Sequence, residues 1–353
     1  MAKQLPLFPA PEAASEPARQ SGKTGKSGEP RQHQAAIGPA PASREAEELG
    51  RRLPRELYLG TSSWHFPGWK GTVWDRAATE SELARSGLAA YAQHPLLRSV
   101  GVDRTFYAPV PASQFAAYAQ QVPAHFRFLV KAPHLVTSAF LRTEDGKPAG
   151  NRHFLDAAYA IEHFIRPCCE GLGAKAGPLL FQFSPLGRAV TRDPGRFAQR
   201  LHDFLAALPG AGMDGVPQNV LYAVELRDPE LLTRALFAAL KAAKARYCLG
   251  VHARMPPVAA QAAAMAGFGH GPLVVRWNLH AGYGYEQAKA RYAPFDRLVE
   301  EDPATRESIA RLAAATLAAG QPAFVIANNK AEGSAPLTLL KLAHAIRGAL
   351  RMR

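Results

Sequence analysis

Beyond Arg51 the chain alternates short apolar runs with longer stretches in which apolar residues recur every three or four positions. Short unbroken apolar runs suit strands covered on both faces, and the 3.6-residue period suits helices packed against them. The runs fall at 57–62, 99–105, 126–131, 179–183, 221–227, 247–252, 273–278 and 323–328, eight in all. Helical patterns lie between them: at 197–208, for example, Phe197, Leu201, Phe204, Leu205 and Leu208 share one face, and similar stretches occupy 308–319 and 337–350. Regular strand–helix alternation predicts a parallel sheet. Eight units, with no glycine-rich dinucleotide turn after the first strand, predict a TIM-type (β/α)8 barrel over 51–353 rather than an open doubly wound sheet.

Residues 1–50 read differently. From Pro9 to Pro41 the chain is Pro, Ala, Ser, Gly and charge, a composition that cannot bury enough surface to offset its ordering entropy, so a disordered basic tail is expected. Within it, Gly22-Lys23-Thr24-Gly25-Lys26-Ser27 imitates a phosphate-binding loop, but Gln20 stands where the first glycine belongs, and neither a strand nor an apolar helix flanks it. Three cysteines, with Cys168 and Cys169 adjacent, form neither a disulfide framework nor a zinc spacing. The chain shows no signal peptide and no apolar run long enough for a membrane span, so a cytoplasmic protein without membrane partners is expected. Residues 1–43 carry Lys3, Arg19, Lys23, Lys26 and Arg31 against Glu12, Glu16 and Glu29, which leaves +11 of the formal +13 on the folded part. That balance favours anionic partners.

In a barrel, alternate strand residues face the lumen and sites form at the C-terminal strand ends. With Tyr222, Val224 and Leu226 facing the helices, Glu225 and Arg227 point inward. The same phasing turns inward Lys131, Gln182, Asp103 and Thr105, then His252 and Arg254, then Arg276, Asn278 and His280, and the last strand ends in Asn328-Asn329. Polar groups at this many strand ends are costly as plain core and point to a site at the barrel mouth. Arg227, Arg254 and Arg276 are the expected phosphate ligands, with Asn278, Gln182, Asp103, Thr105 and Asn328 completing a substrate site. Glu225 is the expected general base, Lys131 the group that stabilises developing charge or donates a proton, and His280 a further catalytic candidate. Trp64, Phe106 and Tyr107 could stack on a ring, whereas Trp277 is phased toward the helices. A divalent metal held by Asp103, His134, Glu225, His252 and His280 is the rival arrangement, but no short His spacing supports it and the neighbouring Lys131, Arg227, Arg254 and Arg276 would repel a cation. No cofactor or metal is therefore expected.

Several stretches resemble the domain-of-unknown-function 72, or YecE-like, family. They are Leu59-Gly60-Thr61-Ser62-Ser63-Trp64 with Trp69-Lys70-Gly71, Thr105-Phe106-Tyr107, Phe128-Leu129-Val130-Lys131-Ala132-Pro133, Leu180-Phe181-Gln182-Phe183, Val224-Glu225-Leu226-Arg227, Arg276 and Asn328-Asn329. They follow the family's order over about residues 55–345. The resemblance implies a TIM-type barrel without an established activity, with an architectural likeness to metal-dependent barrel endonucleases. Departures also show. Gly101 and Asp103 stand where relatives carry Glu and Asn, His252 replaces an Asp, Asn278 replaces a His with His280 two residues on, and Lys330 replaces the Asp of a final Asn-Asn-Asp. Lost acidic positions make this mouth more attractive to anions.

Gln4-Leu5-Pro6-Leu7-Phe8 resembles the Gln-Leu-x-Leu-Phe peptide by which bacterial replication and repair proteins dock on the sliding clamp. Leu5, Leu7 and Phe8 are apolar residues in a polar tail that offers them no core, as expected of a tethered anchor. The sequence thus predicts a hydrolase-like barrel enzyme acting on a phosphate-bearing anion, DNA or RNA among the candidates, recruited by its tail to the clamp. An enzyme for a small acidic or phosphorylated metabolite and a non-catalytic nucleic-acid-binding module are the alternatives.

Overall fold

The computed structural model describes residues 36–352. Eight parallel strands close into a barrel: β1 (Leu57–Thr61), β2 (Leu97–Val102), β3 (Arg127–Lys131), β4 (Ala176–Gln182), β5 (Leu221–Glu225), β6 (Arg246–Val251), β7 (Leu273–Trp277) and β8 (Ala323–Ala327). Each pairs with its neighbours in sequence, and β8 closes onto β1 with Leu57 beside Ala323 and Thr61 beside Ala327. This is the TIM-type barrel expected from the sequence, and every predicted run overlaps one of its strands, three of which begin one to three residues earlier than expected. Among the described residues no helix is long and apolar enough to cross a membrane.

Two apolar layers follow from the alternation of strand side chains. Val224, Leu249, Val275, Val325 and Trp277 face outward into the large core beneath the helices. Leu129, Leu180, Ala223, Cys248, Val274 and Ile326 face inward and fill the lumen as a separate cluster. One step further along five of those strands, the inward positions are Lys131, Gln182, Glu225, Gly250 and Arg276. The barrel floor is therefore apolar and its mouth charged.

The loops above the mouth are unequal. The connection after β3 carries a two-stranded hairpin, Phe140–Arg142 paired with Pro148–Gly150. The connection after β7 holds the helix Tyr285–Tyr292, with a small apolar cluster of Leu279, Ala288 and Tyr292 against Tyr283 and Phe295. Gly68, in the loop after β1, approaches so closely that a Cβ there would lie 2.0 Å from the Pro294 carbonyl oxygen. Only glycine lets these two loops touch.

Residues 37–50, expected to belong to the tail, are instead part of the folded body. Ser43 caps the helix Arg44–Arg52, whose Ala46 and Leu49 are buried, as are Ile37 and Leu53. Arg98, near the start of β2, donates to the carbonyls of Gly50 and Pro54, and Arg347 of the C-terminal helix Ala335–Arg351 meets Glu48 at 3.3 Å. Composition misled here because the helix buries only a few side chains, each against a distant part of the chain. The peptide Gln4, Leu5, Leu7 and Phe8 and the rest of the tail lie outside the described residues. Leu49→Ala is expected to lower unfolding free energy by about 2–4 kcal/mol, the cost of a buried leucine. Chemical denaturation would show it, and a change below about 0.5 kcal/mol would mean the helix is not docked.

Candidate functional site

The centre of the mouth is Glu225, at the end of β5, with no solvent exposure. Its Oε2 accepts from Arg276 Nη1 at 2.8 Å, and its Oε1 accepts from Asn278 Nδ2 at 3.0 Å and forms an ion pair with Arg227. Arg276 then reaches Asp103 across the barrel, Nη2 lying 3.1 Å from Oδ2. Gly250, the inward residue of β6, leaves the space: a Cβ there would stand 2.9 Å from Arg227 Nη1 and 3.0 Å from Glu225 Oε1. Burial pushes the Glu225 carboxyl up, but Arg227 and Arg276 override it and hold the group down at about 2. Glu225 and Asp103 in turn raise the Arg276 guanidinium against the opposing effect of its own burial.

This geometry corrects two expectations. Glu225 is not placed as a general base, because an enclosed carboxylate saturated by two guanidiniums is a weak proton acceptor. Arg276 is not placed as a phosphate ligand, because it is buried and tied to Glu225 and Asp103. Arg227 is likewise buried against Glu225. Of the three arginines only Arg254 is open, its side chain 56% exposed, with Nη2 3.8 Å from Asp228 Oδ1.

Two lysines complete the site. Lys131, at the end of β3, is 8% exposed, and its ammonium lies 3.6 Å from the centre of the Phe106 ring. Lys330, beyond β8, is 3% exposed and lies 4.1 Å from the Tyr285 ring centre, with Asn328 Oδ1 at 3.5 Å. Among the described residues neither ammonium has a carboxylate within ion-pair distance. Burial lowers Lys131 to about 8, Asp103 opposing and Arg276 assisting; burial lowers Lys330 to about 8 as well, assisted by Lys289 and opposed by Glu286 and Asp103. The sequence marked Lys330 only as a departure from the family pattern. Its tandem position after Asn328-Asn329 was the available signal.

The other expected residues divide. Thr105 is buried and donates to the Lys131 carbonyl oxygen at 2.5 Å, so it fixes the strand end rather than a ligand. Gln182 pairs in register with Glu225, and Asn328 donates to Ser62 Oγ at 2.8 Å. Tyr107 is 42% exposed on the rim. Trp64 is corrected: it is buried in the outer core, edge-on to Tyr118 at 5.2 Å, and offers no stacking face to a substrate. His280 lies at the start of the loop after β7, where its Nδ1 accepts from the Gly282 amide and its own amide donates to the Lys330 carbonyl; it joins the loop framework, not the Glu225 cluster.

A metal does not fit this donor set. Glu225 and Asp103 are engaged by guanidiniums, His134 Nδ1 meets the Phe106 carbonyl, and His252 Nδ1 accepts from the Arg254 amide. Burial and Arg227 lower His252 to about 4. Among the described residues no three His, Cys, Asp or Glu side chains converge as a metal site would require.

The family model described as "Protein of unknown function DUF72" matches residues 58–352. The chain belongs to this family. Among solved structures, it is similar to a DUF72 family protein from Enterococcus faecalis V583, with 19% identity, a TM-score of 0.53 and coverage of 84% of this chain and 96% of that one. It is also similar to a DUF72 family protein from Thermotoga maritima MSB8, with 18% identity, a TM-score of 0.52 and coverage of 82% and 99%. At such identities these likenesses show the fold alone. No curated protein matches the chain. The family resemblance read over about 55–345 is thus confirmed, and the charged mouth is this DUF72 chain's candidate site.

The buried carboxylate makes a stability prediction. Glu225 is held at about 2 when folded and lies at about 4.3 when unfolded. Its contribution is therefore complete above about pH 4.3 and is lost as pH falls toward 2. Glu225→Gln should cost about 3 kcal/mol near neutrality by leaving two guanidiniums short of charge, and the two proteins should converge in acid. Denaturation curves across pH would check this; an unchanged stability at pH 7 would contradict it.

Proposed function

We propose that the barrel mouth is the active site of an enzyme acting on a phosphate-bearing anionic substrate. The observation that carries this reading is the pair of buried ammonium groups, Lys131 and Lys330, neither with a carboxylate at ion-pair distance, at a mouth where Glu225, Asp103 and Asp228 are already engaged by arginines. Buried charge without a partner is expensive, and an incoming anion would offset that cost. Arg254 and Lys330 would hold phosphate oxygens, with Asn278 and Asn328 beside them. Lys131 would stabilise charge that develops in the reaction or donate a proton, since its protonation changes near neutral pH. Glu225 would keep Arg227, Arg276 and Asn278 in place.

Two bearers of the phosphate are distinguishable. The net charge of +13 favours nucleic acid, whose binding would weaken steeply with salt. The depth of both lysines favours a small phosphorylated compound that can enter the mouth whole. The anion site itself is tested with a short phosphodiester ligand, whose charge is constant across the pH range used. Affinity measured by calorimetry should fall as pH rises through about 8, because both lysines lose their protons there. Lys330→Met with Arg254→Met should weaken binding by about 2–4 kcal/mol, the worth of two charge-assisted contacts. Binding that ignores pH and both substitutions would end the proposal.

The tail supports recruitment to a sliding clamp through Gln4, Leu5, Leu7 and Phe8. A synthetic peptide of residues 1–12 should bind a bacterial clamp with micromolar affinity, about −8 kcal/mol. Leu7→Ala with Phe8→Ala should remove that binding, whereas Gln4→Ala should weaken it less. No binding by the wild-type peptide at hundreds of micromolar would leave the tail without this role.

A further inference from the structure

The two mouth lysines are not equivalent. Lys330 is held by Asn328 Oδ1 and lies near the rings of Tyr285 and Phe295. The Lys131 amine has no hydrogen-bond partner among the described residues, yet it is not one of the enclosed polar atoms left without one. It stands on a rigid strand end, over the face of Phe106, at a point the barrel leaves reachable. Phe106 is itself fixed by its carbonyl's contact with His134 Nδ1 at 2.7 Å, and the Lys131 backbone by Thr105. A mere counter-charge would not need an unengaged amine on a fixed strand end.

A free, positioned amine against an apolar face is the arrangement in which lysine attacks carbonyl carbon. We infer that Lys131 forms an imine with a small phosphorylated aldehyde or ketone, a reading that rests on the mouth being a phosphate site. The Nζ lone pair attacks the carbonyl carbon, and the proton that nitrogen loses passes to the carbonyl oxygen, giving a carbinolamine. One further proton, taken from solvent, lets the hydroxyl leave as water and yields the protonated imine. No oxidant or reductant is consumed. Arg254 and Lys330 would hold the phosphate, so that the carbonyl end lies toward Lys131.

The charged groups acting on Lys131 are Asp103 and Glu225, which favour its ammonium form, and Arg276 and Arg227, which favour the amine; burial outweighs them all. At pH 7.5 an amine of pKa about 8 is roughly one-quarter neutral, whereas an ordinary lysine is roughly 0.1% neutral.

The test uses the full chain, glyceraldehyde 3-phosphate and sodium cyanoborohydride, with the reduced adduct located by peptide mass spectrometry. One adduct is expected, on Lys131, forming at least tenfold faster than on any lysine of ordinary pKa, roughly as the neutral fractions dictate, and not on Lys330, whose amine Asn328 and the phosphate hold. With glyceraldehyde 3-phosphate saturating, its rate should rise up to about pH 8 and level off above, following the amine. Unphosphorylated glyceraldehyde should react at least about tenfold more slowly, and inorganic phosphate should compete. Lys131→Arg should lose the adduct. Label spread over surface lysines, label on Lys330 instead, or no adduct would overturn the inference. If the phosphodiester still binds while no adduct forms, the imine alone fails. If neither phosphodiester nor inorganic phosphate binds, the phosphate reading falls with it.

Discussion

The carboxylate of Glu225 sits where a barrel can least tolerate an isolated charge. It lies directly above the apolar layer of Leu180, Ala223, Cys248 and Val274, out of contact with water. It is kept ionised there by Arg227, two residues past the end of its own strand, and Arg276 on β7, with Asn278 supplying a further donor. Removing either guanidinium would leave the other charge poorly balanced, so the three act as a unit. Gly250 belongs to the same unit by leaving the room for it. Everything above this layer depends on it, because Arg276 also reaches Asp103 and thereby spans the mouth from β7 to the end of β2.

The consequence for chemistry lies in what the carboxylates no longer do. Glu225 is shared by two arginines, Asp103 faces Arg276, and Asp228 accepts from the Leu186 amide at 2.7 Å while facing Arg254. Lys131 and Lys330 therefore receive only longer-range help from Asp103, Glu225 and Glu286, which is weaker than the burial that opposes their charge. Burial beside acids already tied to arginines is thus what leaves Lys131 poised near neutral pH, while burial and Lys289 do the same for Lys330. A fully paired mouth would have been more inert, and one with free carboxylates would have favoured cations.

Much of this was legible before the structure. Period-two phasing turned Glu225, Arg276, Lys131 and Asn278 inward because bulky neighbours such as Val224, Val275 and Val130 had to face the helices. Phasing could not divide those inward groups into partners and free groups. That division depends on register between β5 and β7 and on the missing side chain at Gly250, and it turned a supposed base, Glu225, and a supposed phosphate ligand, Arg276, into each other's anchors. Trp64 misled for a related reason: it lies just past β1, where chain direction changes and strand alternation no longer says which way a ring points. The helix Arg44–Arg52 was hidden because so short an element depends on distant partners such as Arg98 and Arg347, and no local pattern reports them.

The two lysines owe their low proton affinity to different parts of the fold. Lys131 is buried at the end of a barrel strand beneath Phe106, its amine still reachable, so its environment follows the barrel and the turn after β2. Lys330 is dry because the segment after β7 lies over it, bringing Tyr285 and Phe295 to its ammonium. That segment is tied to the β8 end from several sides. The His280 amide donates to the Lys330 carbonyl, the Val299 amide to the Glu332 carbonyl, and the buried Glu332 carboxylate receives the Asp302 amide and Arg306. Exclusion of water from Lys330 is therefore coupled to the packing of the segment after β7, while the burial of Lys131 is coupled to its own strand and to Phe106. An anion entering past Tyr285 would find one cation whose environment depends on that loop and another carried by the sheet, so the grip on its charge and the placement of Lys131 are set by separate parts of the fold.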